Sequence, residues 1–334
     1  MSIILAIESS CDETSASVII QGQVKSNMIA GQSVHEAYGG VVPELASREH
    51  QKNIVPVVDQ ALSKAGITKK DLDAVAFTRG PGLLGALLVG TSFAKGLALG
   101  LNIPLIEVNH MQAHILAHFI EAPFPKSPFI CLTVSGGHTQ LVLVKSHLEM
   151  EVIGQTTDDA VGEAFDKTAK LLGLPYPGGP LIDKYAREGD PHAFSFPKVK
   201  APGELNFSFS GIKTAILYFL RDEVKENPNF IKERLPDICA SVQHTLINIL
   251  LEQLVKAAEA YKIDQIGIAG GVSANSSLRS RLHTLGQEKG WDTFIPEFQF
   301  CTDNAAMIAI TAHFMYQKKL FAPANVSPLP RMKI

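Results

Sequence analysis

The segment His110-Met111-Gln112-Ala113-His114 carries two histidines four residues apart. On a helix that spacing stacks both imidazoles on one face, one turn apart. Neutral imidazole is a common ligand for iron and zinc, so the pair suits a single divalent cation. Asn109 precedes the pair and is a good N-cap, which places the pair at a helix start. Two histidines do not complete a metal site. The best distant partner is Asp303, in Cys301-Thr302-Asp303-Asn304, at the predicted start of the last helix. The competing reading is two unrelated helix histidines, with His118 continuing the run.

Four glycine-rich turns form a second set: Arg79–Gly82, Ser135–Thr139, Pro177–Pro180 and Ala269–Val272. Backbone N–H groups in such turns can surround phosphate oxygens, because glycine allows close approach. One such turn is ordinary; four, each near a strand end or helix start, favour a nucleotide site. Gly80-Pro81-Gly82-Leu83-Leu84-Gly85 also matches the GxGxxG pattern. It does not open the first βαβ unit, and the acid ending the next strand is Glu107, just before the histidine pair. Helix–strand packing is the better role for these glycines.

Two further segments have competing readings. In Gly162–Lys167, Glu163, Asp166 and Lys167 share a helical face. An exposed salt-bridged face is preferred there over a carboxylate, Asp166, that holds ribose hydroxyls. In Asn206–Thr214, Phe207 and Phe209 alternate with serines and lead to Lys213, with Lys198 and Lys200 upstream. Stacking and phosphate contact would suit single-stranded RNA. An edge strand with core phenylalanines is preferred slightly.

The elements that must position these residues follow from hydrophobic periodicity. Ile3–Ile7 and Ala16–Ile20 read as a hairpin around the polar turn Glu8–Thr14. A helix is predicted over 41–64, with Pro43 and Pro56 at its start or at a kink. Leu72–Thr78 and Pro104–Val108 read as strands, with an apolar helix over 83–99 between them. The pattern then restarts: Phe129–Val134 and Gln140–Val144 form a second hairpin, an internal repeat of the first. Ala122–Pro128, with three prolines, reads as the linker. Helices are predicted over 159–172, 211–226, 235–261, 276–289 and 303–317, a strand over 265–269, and irregular chain over 176–206.

The chain has 334 residues, more than one core usually spans, so two domains are expected. An apolar fraction of 46% and a charged fraction of 19% exclude a disordered chain. A formal charge of −3 excludes a basic nucleic-acid coat, so any RNA contact needs a local patch or partners. Cys11, Cys131, Cys239 and Cys301 lie far apart and read as reduced thiols rather than a disulfide frame or zinc knuckle. The N-terminus has no basic n-region or cleavage site, so a cytoplasmic chain is expected. The apolar stretch Gly82–Ile106 contains Lys95, several glycines and Pro104, and reads as a buried helix and strand rather than a membrane span.

Eight motifs occur in a fixed order: Glu8–Thr14, Arg79–Gly82, Asn109–His114, Val134–Thr139, Gly162–Lys167, Tyr176–Pro180, Phe207–Lys213 and Gly270–Asn275. In these the chain resembles the bacterial tRNA adenosine threonylcarbamoyltransferase family (TsaD, formerly the Gcp/YgjD glycoprotease), over nearly its whole length. The resemblance implies an α/β chain of two actin-like (ASKHA, ribonuclease H-like) domains around a central cleft. The expected domains are 1–121, completed by 303–334, and 129–302. It implies transfer of threonylcarbamoyl from threonylcarbamoyl-AMP to the exocyclic amine of the adenosine 3′ of the anticodon, in tRNAs reading ANN codons.

By motif match, His110, His114 and Asp303 would hold one divalent metal, iron in preference to zinc. Ser135, Gly136, Gly137, His138, Thr139, Asp166, Gly179, Asp183 and Asn275 would hold the adenylate. The general base is not assigned. Implied partners are tRNA, the actin-like paralogue TsaB, the ATPase TsaE and an adenylate-forming synthase of the TsaC/Sua5 type, with no membrane. Archaeal relatives place a tyrosine ligand where this chain has Thr133, and His138 stands where they have asparagine. The chain therefore resembles the bacterial branch, with three side chains on the metal. The rival activities are a metallopeptidase, a small-molecule kinase of the same fold and a nucleotide-carrying scaffold. The first lacks the glutamate that follows the first histidine in HExxH peptidases, where Met111 stands.

Overall fold

The computed structural model describes residues 2–32, 35, 38–198 and 201–334. Lys200, one of the two lysines upstream of the Phe-Ser segment, lies outside the described residues. The chain divides into two compact units. One comprises Met1–Phe124, Lys145–Met150 and Pro296–Ile334, the other Pro125–Val144 and Glu151–Ile295.

The first unit is built on strands β1 (Ile3–Glu8), β2 (Thr14–Ile20), β3 (Gln23–Ala30), β4 (Ala74–Gly80) and β5 (Leu105–Asn109). Their order is β3-β2-β1-β4-β5. β1 and β2 form the expected antiparallel hairpin, and β4 pairs parallel with both β1 and β5. A central parallel strand covered on both faces reads as an unbroken apolar run, and Ile4 to Ile7 is one, all buried. Leu5 and Ile7 pack on Ile54, Val58 and Ala61 of α1 (Pro43–Ala65) and Ala94 of α2 (Leu84–Leu101). On the other face, Ile4 and Ala6 meet Ala113 and Leu116 of the short helix α3 (His110–Leu116). They also meet Met307 and Ile310 of the C-terminal helix over Ala305–Gln317.

The second unit repeats the plan with β6 (Phe129–Val134), β7 (Thr139–Ser146), β8 (Glu149–Gln155), β9 (Gln265–Ala269) and β10 (Asp292–Phe294). The order β8-β7-β6-β9-β10 matches that of the first sheet, with β6 and β7 antiparallel and β9 parallel to both β6 and β10. The internal repeat seen in the two hairpins therefore extends to all five strands. Its helices are α4 (Val161–Leu171), α5 (Gly178–Ala186), α6 (Ser210–Glu226), α7 (Phe230–Tyr261) and α8 (Ser276–Lys289). A short α9 (Phe298–Cys301) and α10 (Ala305–Gln317) return to the first unit.

Several expectations need correction. Strand β3 was not expected; it follows a two-residue turn in which Gln21 and Gly22 both have positive φ, the geometry that matches strand twist. Residues 176–206 are not all irregular, since α5 starts at the Gly178-Gly179-Pro180 run, where an early proline loses no helical hydrogen bond. The last helix is capped by Asn304, whose side chain accepts from Met307 N, so Asp303 stands one residue outside the cap. Phe207 forms only an isolated bridge with Thr156, and α6 begins at Ser210. Phe207 and Phe209 are core residues, 1% and 0% exposed, and offer no face to a base. The 82–106 stretch forms α2 and β5, a helix and a strand as expected, but α2 is not buried throughout, since Leu84, Leu88 and Leu99 are exposed.

Candidate active site

β5 ends at Asn109, and its side-chain oxygen accepts from Met111 N (2.9 Å) and Gln112 N (3.1 Å). That cap starts α3 at His110 and fixes the direction of both histidines. The opposite wall comes from the start of α10. Ser15 Oγ accepts from Ala305 N (2.8 Å) and Asn27 Oδ1 from Ala306 N (3.2 Å), which pins the helix start to β2 and β3. Asp303 is thereby carried to the histidines. His110 Nε2 lies 3.1 Å from His114 Nε2, and Asp303 Oδ1 lies 3.1 Å from His114 Nε2 and 3.4 Å from His110 Nε2. Three donor atoms, nearly 200 residues apart in sequence at the extremes, fall within 4.8 Å of one another.

The far nitrogen of His110 has its own partner. Nδ1 lies 3.0 Å from Glu8 Oε2 and 3.3 Å from Ser10 Oγ. Glu8 is wholly buried at the end of β1, and it also accepts from Ser10 N (2.5 Å) and Thr78 Oγ1 (2.6 Å). Burial opposes charge on His110, but the carboxylates of Asp303 and Glu8 outweigh it and hold its pKa well above that of ordinary imidazole. Burial dominates at His114 and lowers its pKa. Burial would raise the carboxyl of Asp303, yet the facing His110 and His114 hold it well below the usual range. Two imidazole nitrogens and a carboxylate oxygen, drawn together with their lone pairs converging, match the donor set of a divalent iron or zinc ion. The residues fit such an ion.

The RGPG turn supports this site from behind. Arg79 Nη1 pairs with Glu107 (2.9 Å). Leu329 N donates to Arg79 O (2.8 Å), Gly82 N to Pro330 O (3.1 Å) and Asn109 Nδ2 to Lys333 O (2.9 Å). A Cβ on Gly80 would collide with the Leu329 carbonyl, and one on Gly82 with Ser10. These glycines therefore serve close chain packing, though against the C-terminal tail and the β1–β2 turn rather than the helix–strand contact expected.

The residues expected on the adenylate all lie in the second unit. The β6–β7 turn closes with Ser135 N donating to His138 O (2.8 Å) and His138 N to Ser135 Oγ (3.1 Å). Gly136 and Gly137 are exposed at its tip. Thr139 Oγ1 accepts from Val161 N (2.9 Å) and Ser135 O from Gly162 N (3.3 Å), which ties the turn to the start of α4. Asp166 Oδ1 accepts from Gly178 N (2.9 Å) and Gly179 N (3.2 Å) at the start of α5. Burial raises the Asp166 carboxyl, with those two N–H groups pulling the other way. Asp183 accepts from Ser276 N (3.2 Å) and Oγ (2.7 Å). Asn275 caps α8 through Leu278 N (3.0 Å) and donates to Gln243 (2.7 Å). Hydrogen bonds thus link α4 to α5 and α5 to α8, and gather these starts into one region. Lys167 pairs with Glu163 (2.9 Å) and Asp159 (2.6 Å), the salt-bridged face preferred for those residues.

Residues 23–310 match the family described as TsaD, tRNA N6-adenosine threonylcarbamoyltransferase. A tRNA N6-adenosine threonylcarbamoyltransferase of Christiangramia forsetii is 63% identical over 333 residues, 99% of this chain and 98% of the relative. The chain belongs to the TsaD family. A second TsaD relative, from Cytophaga hutchinsonii, is 61% identical over 99% of this chain and 96% of its own length. A full-length HypF structure in its phosphate- and nucleotide-bound form is 13% identical, with a TM-score of 0.63 over 97% of this chain and 47% of that one. Component A of the Acidaminococcus fermentans (R)-2-hydroxyglutaryl-CoA dehydratase is 12% identical, with a TM-score of 0.54 over 95% and 100%. These two likenesses show the fold alone, which is the actin-like one that the motifs imply for a TsaD chain. As a TsaD member the chain is a transferase, and peptidase and kinase are not the family's activity. Among the residues that hold the histidine pair, Glu8 escaped the sequence reading. In sequence it is only an acid that closes an apolar strand, which does not mark it out from the start of a turn.

Proposed function

We propose that this chain transfers the threonylcarbamoyl group from threonylcarbamoyl-AMP to the exocyclic amine of the adenosine 3′ of the anticodon, in tRNAs that read ANN codons. The near-full-length identity with transferases of that name carries the reading. The convergence of His110, His114 and Asp303 supports a single metal among these residues. His110, His114 and Asp303 would hold a divalent ion, iron in preference to zinc, which would supply Lewis acidity to the carbamoyl or threonyl carboxylate oxygens.

The chain's own residues supply binding and orientation. The Ser135–Thr139 turn offers uncrowded peptide N–H groups to the phosphate, with Gly136 and Gly137 free of side chains. Asp166 of α4, Gly179 and Asp183 of α5, and Asn275 at the cap of α8 hold the adenosine. One Asp166 oxygen is already engaged by α5, so the other is the one left for a ribose hydroxyl. The adenine amine attacks the carbamoyl carbon; a C–N bond forms, the bond to the phosphate oxygen breaks, and AMP leaves as the amine loses a proton. An adenine amine is a weak nucleophile, so placement supplies much of the rate.

tRNA is the acceptor. With a net charge of −3 the chain shares RNA binding with partners: the paralogue TsaB, the ATPase TsaE and a TsaC/Sua5-type synthase that makes the adenylate, all in the cytoplasm. Val55 of α1 and Leu84, Leu88 and Leu99 of α2 are exposed apolar residues on two helices that pack together, a surface suited to an actin-like paralogue. Reconstitution tests the reading: tRNA lacking the modification, threonine, bicarbonate and ATP are incubated with the chain and these partners. Threonylcarbamoyladenosine in the nucleoside digest is expected. Its absence, with active partners, refutes the assignment.

A further inference from the structure

Glu8 belongs to none of the groups that the motif comparison assigns to metal or adenylate, yet it is the buried acid on which His110 rests. Its Oε2 receives His110 Nδ1 at 3.0 Å, while His110 Nε2 faces the other two ligands. An imidazole has one lone pair to give when neutral, and the partner of its second nitrogen decides which nitrogen carries it. A carboxylate accepts only, so the nitrogen beside it must carry the proton. Ser10 N and Thr78 Oγ1 hold the Glu8 carboxylate in place, so its aim at His110 is fixed by β1 and β4 and not by chance rotamer choice. His114 has no such support, because its buried Nδ1 has no partner among the described residues.

We propose that Glu8 is a positioning residue for the metal centre: it holds His110 protonated on Nδ1, with the Nε2 lone pair directed at the ion. The proposal rests on the metal reading of His110, His114 and Asp303. Glu8 would also set the charge of the centre, since Asp303 as a ligand and Glu8 behind His110 would together bring two negative charges to a bound dication. Removal of that charge leaves an excess positive charge in a water-poor site, which weakens the hold on a divalent ion.

The competing role is structural, with Glu8 doing no more than closing the β1 turn through Ser10 and Thr78. The two roles separate in a metal titration. The chain, stripped of metal, is titrated with zinc against a chromophoric chelator and with cobalt followed by its visible spectrum, as wild type, Glu8→Gln and Glu8→Asp. Circular dichroism and a cooperative melt establish that each variant is folded. Positioning predicts an affinity for zinc lowered about 10- to 100-fold in Glu8→Gln, the usual cost of losing such a support. Glu8→Asp should recover part of the loss, and the cobalt spectrum of Glu8→Gln should change.

Wild-type affinity and an unchanged cobalt spectrum in folded Glu8→Gln overturn the proposal and leave the metal site standing. Failure of the wild-type chain to take up either ion overturns the metal reading itself. Should Glu8→Gln not fold, nitrogen-15 NMR of the wild-type zinc form decides instead. A proton on His110 Nδ1 supports the proposal, and a bare or zinc-bound Nδ1 overturns it.

Discussion

If His110, His114 and Asp303 hold an ion as proposed, each would contribute one atom, and a site that lost one of them would hold a dication poorly. His114→Ala and Asp303→Asn should each lose stoichiometric metal and lower transfer about 1000-fold, corresponding to several kcal/mol of Lewis-acid stabilisation. Metal analysis of the purified variants beside single-turnover assays checks both. The sign of the pH effect follows from His110. Its pKa is raised, so in the metal-free chain it holds its second proton more tightly than ordinary imidazole, and an ion must displace that proton from Nε2. Affinity should therefore rise with pH until His110 deprotonates, and fall about tenfold per unit of pH below that point, with about one proton released per ion bound. Calorimetry in buffers of different ionisation enthalpy measures that proton. The histidine pair was legible in the sequence because helical spacing alone aligns two side chains. Asp303 could be named only as the best distant candidate, since proximity across the chain depends on β2 and β3 gripping the start of α10. Glu8 was not legible, because an acid that follows an apolar strand looks like the start of a turn.

Among the elements, strands with near-continuous apolar runs and long amphipathic helices were found where periodicity placed them, β9 and α8 residue for residue. β3 and β8 were missed because each lies at the edge of its hairpin, half-exposed, with polar residues on much of its length. β10 has three residues, too few for a period, and α5 hides behind a Gly-Gly-Pro start. The C-terminal tail is an element without regular structure, yet it receives hydrogen bonds from Gly82 and Asn109. Gly80→Ala would press a methyl group on the Leu329 carbonyl. It should destabilise the first unit by about 1–3 kcal/mol, the usual cost of overpacking, and expose the tail to proteolysis. Urea unfolding and limited digestion measure both. Asn109→Ala removes the cap of the ligand helix and the anchor of Lys333. It should cost about 1 kcal/mol in the same unfolding experiment and also weaken metal binding.

At the scale of the whole molecule, the duplicated sheet order is the feature that composition and hairpin motifs announced together. Two hairpins of the same type, more than a hundred residues apart, each followed by parallel strands, require two units of one plan. The slight preference for core phenylalanines over RNA-stacking aromatics holds, because Phe207 and Phe209 fill the core of the second unit and Lys198 pairs with Glu252. A chain with net charge −3 should accordingly bind tRNA weakly alone at physiological salt and gain affinity with its partners. Filter binding across a salt series tests this. An ion held by His110, His114 and Asp303, as proposed, would be needed for threonylcarbamoyl transfer. The most direct measurement is nucleoside analysis of tRNA after incubation with partners, threonine, bicarbonate, ATP and either the wild-type chain or folded His110→Ala. Modified adenosine from the wild type and none from the metal-free variant is the expected result. Full modification by metal-free His110→Ala would contradict it.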